Sequence, residues 1–529
     1  MNNRKYIKGI KVVSACFLLS LIFATCTNGY VEINTNPYEP TPVDLLGDNY
    51  RSGAFFSQLQ QVVIPVDANT FQLQQNLVGD IYAGYMAGIN SWNAGVNNST
   101  YFFQDNWLNF PFSQVFVQAF GAWQDIVKIS GDKAPESVAL ARILKIACFH
   151  RITDAQGPIP YTQVGLGSLS SAYDSQETVY KAFFQELTDA INVLTDFVRR
   201  NPNSTPLKAY DMVYNGDFTE WIKFANSLKL RLALRISYVD PTSAKTYAEE
   251  AVSHPIGLIT ANSDNAALKS ANGVVIKNPL EVMWNEYTDT RMGASMQSIL
   301  TGYTDPRISA YFQQVTINSI AGYYGVRTGI SITNKTPYLP FSSPKASISD
   351  PIVWITASEV AFLKAEGALK GWAMGKTAQA LYEDGIRLSF DQAQVSGADT
   401  YIINSTSIPA NYVNPTIPTQ NVSAASNITI KWDESAIYET KLERIITQKW
   451  IALYPNGQEA WAEFRRTGYP KMFPVVANNS GGIINSQTLI RRIPFPPSEY
   501  LNNAKNIIGA ITLLGGPDNG STKLWWDKK

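Results

Sequence analysis

The sequence predicts a mostly α-helical protein. Helical hairpins form a scaffold, long ligand-binding loops project from it, and β-strands are minor. Three observations carry this. Apolar residues recur at three- and four-residue spacing through much of the chain, the period that buries one face of a helix. Two such stretches, 355–372 and 377–395, are broken only near Gly375-Lys376, the layout of a tetratricopeptide-like hairpin. Between the periodic stretches lie long segments dense in Asn, Ser, Thr, Gly, Pro and aromatic residues.

The elements follow in chain order. Residues 1–25 read as a signal peptide. Arg4, Lys5, Lys8 and Lys11 make a basic start, Val12–Ala24 is almost wholly apolar, and polar sequence follows Cys26. The apolar run is too short to be a good membrane-spanning helix. Cys26, behind the small residues Ala24 and Thr25, is the expected lipid acceptor, although Thr25 stands where Gly, Ala or Ser is usual. Ordinary secretion with cleavage nearby is the alternative. Residues 26–43 then form a lipid-anchored segment. Residues 44–529 form a single domain, because no linker divides them.

Helices are predicted at 45–63, 113–129 and 244–253. Clear stripes mark 178–199 (Val179, Phe183, Leu187, Ala190, Leu194, Phe197) and 218–238 (Trp221, Ala225, Leu228, Leu232, Ile236). In 355–372 and 377–395 the small residues Ala365, Gly367, Ala368 and Gly385 let the pair approach closely. Leu442, Ile446, Trp450 and Leu453 form a last stripe, which should bury Trp450. No clean sequence repeat accompanies these, so the tetratricopeptide likeness rests on helix pairing alone. Cys148 shares a helical face with Ala141, Leu144 and Ile152, the place of a core residue rather than a nucleophile. Long loops are expected at 90–111, 262–279, 316–350 and 400–429, with Ile428–Trp432 alternating like a short strand. Long loops on a rigid scaffold usually carry binding.

Composition excludes several classes. With 45% hydrophobic and only 16% charged residues, the chain can bury a large core and is not disordered. Lys and Arg number 43, as do Asp and Glu, so a nucleic-acid partner is not expected. Four of the basic residues precede Cys26, leaving 39 against 43 acidic ones and no polybasic patch to hold a membrane. The two histidines, His150 and His254, have no His or Cys neighbour at ligand spacing, so a histidine-based zinc site is not expected, and no metal ligand or cofactor is assigned. No GxSxG, phosphate-binding loop or GxGxxG is present. Asp80, Asp105, Asp154, Glu281, Glu286 and Asp289 lie near aromatic segments, where two carboxylates could hydrolyse glycosides. No two of them stand out, and no catalytic residue is assigned. A secreted helical glycoside hydrolase is the enzyme alternative.

The aromatics point to binding. Trp92, Tyr101, Phe102, Phe103 and Trp107 crowd one segment, Trp284 and Tyr287 a second, Tyr323 and Tyr324 a third. A ring offers a flat apolar face to a sugar or a peptide side chain at small entropic cost. Trp92, Trp284, Tyr287 and Tyr323 are the candidate ligand-binding residues, because they lie off the helix stripes.

Several segments resemble the SusD/RagB family, in its SusD-like branch. YVEINTNPYEPT (Tyr30–Thr41) is similar to the segment that follows the family's lipidated cysteine. DAQGPIPYTQ (Asp154–Gln163) resembles its D-x-x-G-x-x-P-Y loop, with Gln156 and Pro158 at variable places. Ile355–Trp372 resembles its A-E-x-x-F-L-x-A-E-A helix, with Ser358 and Gly367 where Ala is usual. The strongest likeness is IITQKWIALYPNGQEAWAEFRRTGYPKM (Ile445–Met472), followed by RRIPFPPSEYLNN (Arg491–Asn503). Gln448, Trp450, Trp461, Arg465 and Arg466 read as packing and hydrogen-bonding residues. Pro494, Pro496 and Pro497 read as an extended, non-helical segment.

The resemblance implies a lipid-anchored protein of the outer-membrane surface with no catalytic activity. It implies capture of an oligosaccharide, or of a peptide in some members, for a SusC-like TonB-dependent transporter. A purely structural subunit without a ligand is a third reading.

Overall fold

The computed structural model describes residues 50–165 and 170–529, so the signal segment and Cys26 lie outside it. Helices dominate: α1 (Tyr50–Val63), α2 (Asp105–Ser130), α3 (Pro135–Gln156), α4 (Gln176–Arg200), α5 (Phe218–Arg235), α6 (Pro241–Ser253), α7 (Ala357–Leu369), α8 (Ala378–Gln392), α9 (Tyr438–Ala452), α10 (Gly457–Thr467) and α11 (Ala504–Leu514). Side-chain caps set several starts. Ser175, Asp217, Asp240, Thr356 and Thr377 each accept a backbone N–H of the first turn.

Successive helices pack as pairs: α3 on α4, α4 on α5, α5 on α6 and α7 on α8. The α7–α8 approach is close because Gly385 leaves room for the Phe362 ring, which a Cβ there would meet at 2.8 Å. The stripes read from the sequence face inward: Val179, Phe183, Leu187, Ala190 and Leu194 are buried, as are Trp221, Ala225, Leu228 and Leu232. Trp450 is 2% exposed, and its Nε1 donates to the Ala83 carbonyl at 2.9 Å.

A buried ion network ties these pairs together. Arg235 of α5 reaches Glu463 at 3.0 Å, Glu459 and Asp154. Arg466 bridges Glu463 of its own helix and Glu366 of α7. Arg465 donates instead to the carbonyls of Asp154 and Arg491. The adjacent arginines thus take different partners, Arg466 carboxylates and Arg465 carbonyls. Breaking a buried ion pair by removing one partner is strongly destabilising, because it leaves the other charge buried and uncompensated.

Among the described residues six short strands form three two-stranded antiparallel sheets: β1 (Met86–Gly88) with β3 (Thr290–Met292), β2 (Ala266–Leu268) with β6 (Ile352–Ile355), and β4 (Val315–Ile317) with β5 (Ile320–Gly322).

Four expectations are corrected. The 113–129 helix begins at Asp105, so the end of the 90–111 loop is helical, with Pro111 inside it. Pro111 cannot donate to the Trp107 carbonyl, yet packing of the flanking turns holds the helix together. Ile355 belongs to β6, because Thr356 caps α7 and stops the helix from extending back. Ile428–Trp432 bends at Ile430 and Lys431 and is not a strand; Ile428, Ile430 and Trp432 are simply buried. Pro497 is helical after all, at the first position of a short helix, Pro497–Asn502, where its missing N–H costs nothing.

Candidate ligand-binding face

Two π-helical segments frame the face. The first, Gln72–Asp80, is nine residues long; the second, Val282–Glu286, carries Trp284. π turns are rare and frequent at functional sites. The first packs against the start of α10 so closely that glycine is required on both sides. A Cβ on Gly79 would lie 2.5 Å from the Gln458 nitrogen, and one on Gly457 2.3 Å from Asp80 Oδ1.

The β1–β3 pairing sets the rest. Gly88 stands opposite Thr290, and the Ile89 N–H donates to the Asp289 carbonyl at 2.7 Å. The chain leaving β1 and the chain entering β3 therefore run side by side. Trp92 sits on the first and Tyr287 on the second. The Trp92 turn is strained: Asn93 and Ala94 are left-handed, with φ of 49° and 53°. Asn97 holds it through the Trp92 carbonyl at 3.1 Å. Thr288, beside Tyr287, is also left-handed.

Asp289 is the junction. Its Oδ1 accepts from Asn90 at 2.9 Å and its Oδ2 from Gln72 at 3.1 Å. Lys335 lies 3.9 Å from Oδ1 and donates to Thr288 Oγ1 at 3.0 Å. Burial pushes the Asp289 carboxyl above its usual range, against the pull of Gln72, Lys335 and Asn90. Three loop segments and the first π-helix thus meet at one carboxylate.

The four rings named from sequence are placed as follows. Tyr287 is exposed at 36%. Trp92 is half-buried, edge-to-face with Trp107 at 5.8 Å and 84°. Trp284 is half-buried, its Nε1 donating to the Ala346 carbonyl at 2.9 Å. Tyr323 follows β5; three residues on, the Val326 N–H donates to the Met292 carbonyl at 2.7 Å, at the far end of β3. The structure brings the Trp92 and Tyr287 segments together at Asp289. It sets Tyr323 at the other end of the same small sheet. Among the described residues no two of these four rings stack on each other.

Several of the chemistry-bearing alternatives lie in structural roles. Asp80 is fully buried and bonded to Gln75 at 2.8 Å. Asp154 is bonded to Tyr180 and Trp526. Glu281 accepts from Asn285 at 2.7 Å. His150 is buried against the Ile146 carbonyl, and burial holds its pKa well below the usual histidine value. His254 meets Thr195 at 3.3 Å. Cys148 is buried, and burial raises its thiol pKa far above the ordinary range. Among the described residues no group of His, Cys, Asp and Glu could hold a metal ion, and no helix is long and apolar enough to cross a membrane.

The profile of the SusD-like family, described as Susd and RagB outer membrane lipoprotein, matches residues 32–527. This chain belongs to the SusD-like family. Solved SusD-like structures agree in detail. A chitin-binding SusD homologue from Flavobacterium johnsoniae is 43% identical with a TM-score of 0.87, over 90% of this chain and 99% of that one. A SusD homologue from Bacteroides uniformis is 41% identical with a TM-score of 0.86, over 91% and 100%. One from Bacteroides thetaiotaomicron is 39% identical with a TM-score of 0.84, over 91% and 100%. A comparison with curated proteins finds no match. The helical scaffold expected from the stripes is the SusD-like fold, and Trp450, Trp461 and the paired arginines are parts of its core.

Proposed function

We propose that this SusD-like protein captures oligosaccharide at the outer-membrane surface and delivers it to a SusC-like TonB-dependent transporter, without catalysis of its own. The observation that carries the reading is the Asp289 junction. It holds the Trp92 and Tyr287 segments side by side, with the Tyr287 ring exposed. Exposed rings beside Asn, Asp and Lys side chains suit a ligand with apolar faces and many hydroxyls. We assign Trp284, on the second π-helical segment, and Tyr323, just after β5, to the same face. Kinship with a chitin-binding homologue supports a glycan over a peptide. The engagement of Asp80 and Asp154 in core contacts supports binding over hydrolysis. Cys26 would carry the lipid that keeps the protein at the membrane.

The test is calorimetry against a panel of oligosaccharides and peptides, starting with chitooligosaccharides. Binding of a glycan, with no products formed on long incubation, is expected. Binding of peptides alone would transfer the face to the peptide-capturing variant, and glycan cleavage would overturn the non-catalytic reading. Delivery is tested by purification from native membranes, where a large barrel protein should accompany the chain.

A further inference from the structure

An open groove of about 410 Å3 lies between α1 and α2, within the roughly 300–1,000 Å3 of small-molecule sites. On α1, Ala54, Gln58 and Gln61 recur at helical spacing and share the face that lines it. On α2, Gln114 and Gln118 stand one turn apart and line the opposite side. Val62, Val115 and Pro65 are buried and give the groove an apolar base. Asp67 and Thr70 also line it. Asp67 caps the helical turn Ala68–Phe71, which runs directly into the first π-helical segment.

The four glutamines are only partly used. Gln58 Nε2 donates to the Gln118 carbonyl at 3.5 Å, Gln61 Nε2 to the Ser57 carbonyl at 3.1 Å, and Gln118 Nε2 to Gln114 Oε1 at 3.0 Å. A side-chain amide can make up to about four hydrogen bonds. Within the described residues the side-chain oxygens of Gln58, Gln61 and Gln118 and the side-chain nitrogen of Gln114 make none. Gln58 is exposed, and those atoms of the other three are open to solvent. Asp67 Oδ1 accepts from the N–H and the hydroxyl of Thr70, both at 2.8 Å, while its Oδ2 accepts from no described residue. Reachable acceptors and donors thus face one another across the groove.

We propose that the α1–α2 groove is a second carbohydrate site, which takes a neutral sugar unit by its hydroxyls. It shares no residue with the aromatic face. The glycan-capture reading enters only in the choice of a sugar over a peptide. An amide suits neighbouring hydroxyls, because its oxygen accepts from one while its NH2 donates to the next. Glutamines on two facing helices can hold a ring from both edges, and the apolar base meets its C–H face. Charge narrows the class. Among the described residues no basic side chain lines the groove, and Asp67 is its single charged one. A sulfated sugar or a uronic acid would find no counter-charge there and would meet a carboxylate. One carboxylate among neutral amides also falls short of the several oxygen ligands that a calcium ion takes. No aromatic ring lines the groove among the described residues, so recognition rests on hydrogen bonds rather than on stacking.

The test uses the full-length protein in a detergent without a sugar headgroup. The probes are cellotriose, N-acetylated chitotriose, β-1,4-mannotriose, trigalacturonate and trialanine, each carrying a photoreactive diazirine. Mass spectrometry of the digested protein locates the label. At least one neutral trisaccharide should label peptides containing Gln58 and Gln61 or Gln114 and Gln118, whereas trigalacturonate and trialanine should not. Gln61→Leu and Gln118→Leu should each lower groove labelling by about three- to tenfold, the scale of one lost hydrogen bond. Ala54→Leu, which narrows the groove from an exposed helix position, should remove it. Label on the Tyr287 segment should stay at the parent level in all three variants, and thermal melting checks that each is folded. Neutral-sugar label on the Tyr287 segment alone, or groove label unchanged in the variants, would overturn the second site while glycan capture stood. Groove labelling by trialanine alone would make it a peptide site, and labelling by trigalacturonate as strong as by the neutral sugars would overturn the neutral-sugar assignment. No labelling by any sugar at either place would overturn both readings.

Discussion

Asn90 donates its side-chain amide to Asp289 Oδ1 at 2.9 Å, across 199 positions of sequence. This bond joins the turn that carries Trp92 to the turn that carries Tyr287. Its loss should therefore be felt at two places at once. Asp289→Ala would leave the amides of Asn90 and Gln72 without their shared acceptor, at a cost of about 1–3 kcal/mol. Urea denaturation should show that loss, and calorimetry should show weaker glycan binding in the folded variant. Unchanged binding would mean that the two turns are held by their strands alone.

The rings themselves should differ in effect. Tyr287→Ala and Trp92→Ala should each weaken binding by up to about tenfold, the scale of one aromatic contact of about 0.5–1.5 kcal/mol. Trp284→Ala and Tyr323→Ala should also weaken it. Trp284→Ala should in addition lower the melting temperature, because its indole N–H holds the Ala346 carbonyl. If all four folded variants bind like the parent, the face lies elsewhere.

Asp80 gives a pH signature. Burial raises its carboxyl from 3.8 to about 8, outweighing the hydrogen bonds of Gln75 and Asn76, the Gly457 N–H and the charge of Arg151. Between these values the folded protein keeps a proton that the unfolded chain has released. Stability from this group is therefore greatest in acid, falls as pH rises through that window and is level above about 8. Asp80→Asn cannot titrate. Its melting temperature relative to the parent should rise steadily from pH 4 to pH 8, and a constant difference would show that Asp80 ionises normally in the fold.

Trp450→Ala should destabilise by about 3–5 kcal/mol, the range for a large buried ring, and it also orphans the Ala83 carbonyl. Chemical denaturation checks this, and a near-neutral effect would contradict the burial.

Cys26→Ala should move the protein from the membrane fraction to the soluble one in cells lacking the partner barrel. Persistence in the membrane would remove the lipid from the account.

Much of the scaffold was legible in the sequence because each helix writes its own period. The stripes through Val179 and Trp221 needed only local spacing to read. Residues 105–111 were not legible as helix, since Pro111 and the polar start of the segment carry loop chemistry that tertiary packing overrides. β6 was hidden for the opposite reason, as its apolar run leads straight into α7. The rings proposed for the face were chosen by type and loop context alone. Their companions could not be chosen so: Gln72, Asn90 and Lys335 are ordinary polar residues until the fold sets them around Asp289.

The first π-helical segment makes the face intolerant of a particular kind of change. Within Gln72–Asp80 each turn accommodates more residues than an α turn does, so the segment has one natural way to shorten. Deleting a single residue lets it relax toward ordinary α geometry, and everything on one side of the deletion then rotates by about 100°, one α step. Gln72 would swing off Asp289, or Asp80 and Gly79 would swing off the start of α10. Substitutions along this stretch can be absorbed one side chain at a time, whereas a one-codon deletion turns a screw that the aromatic face and the core both grip.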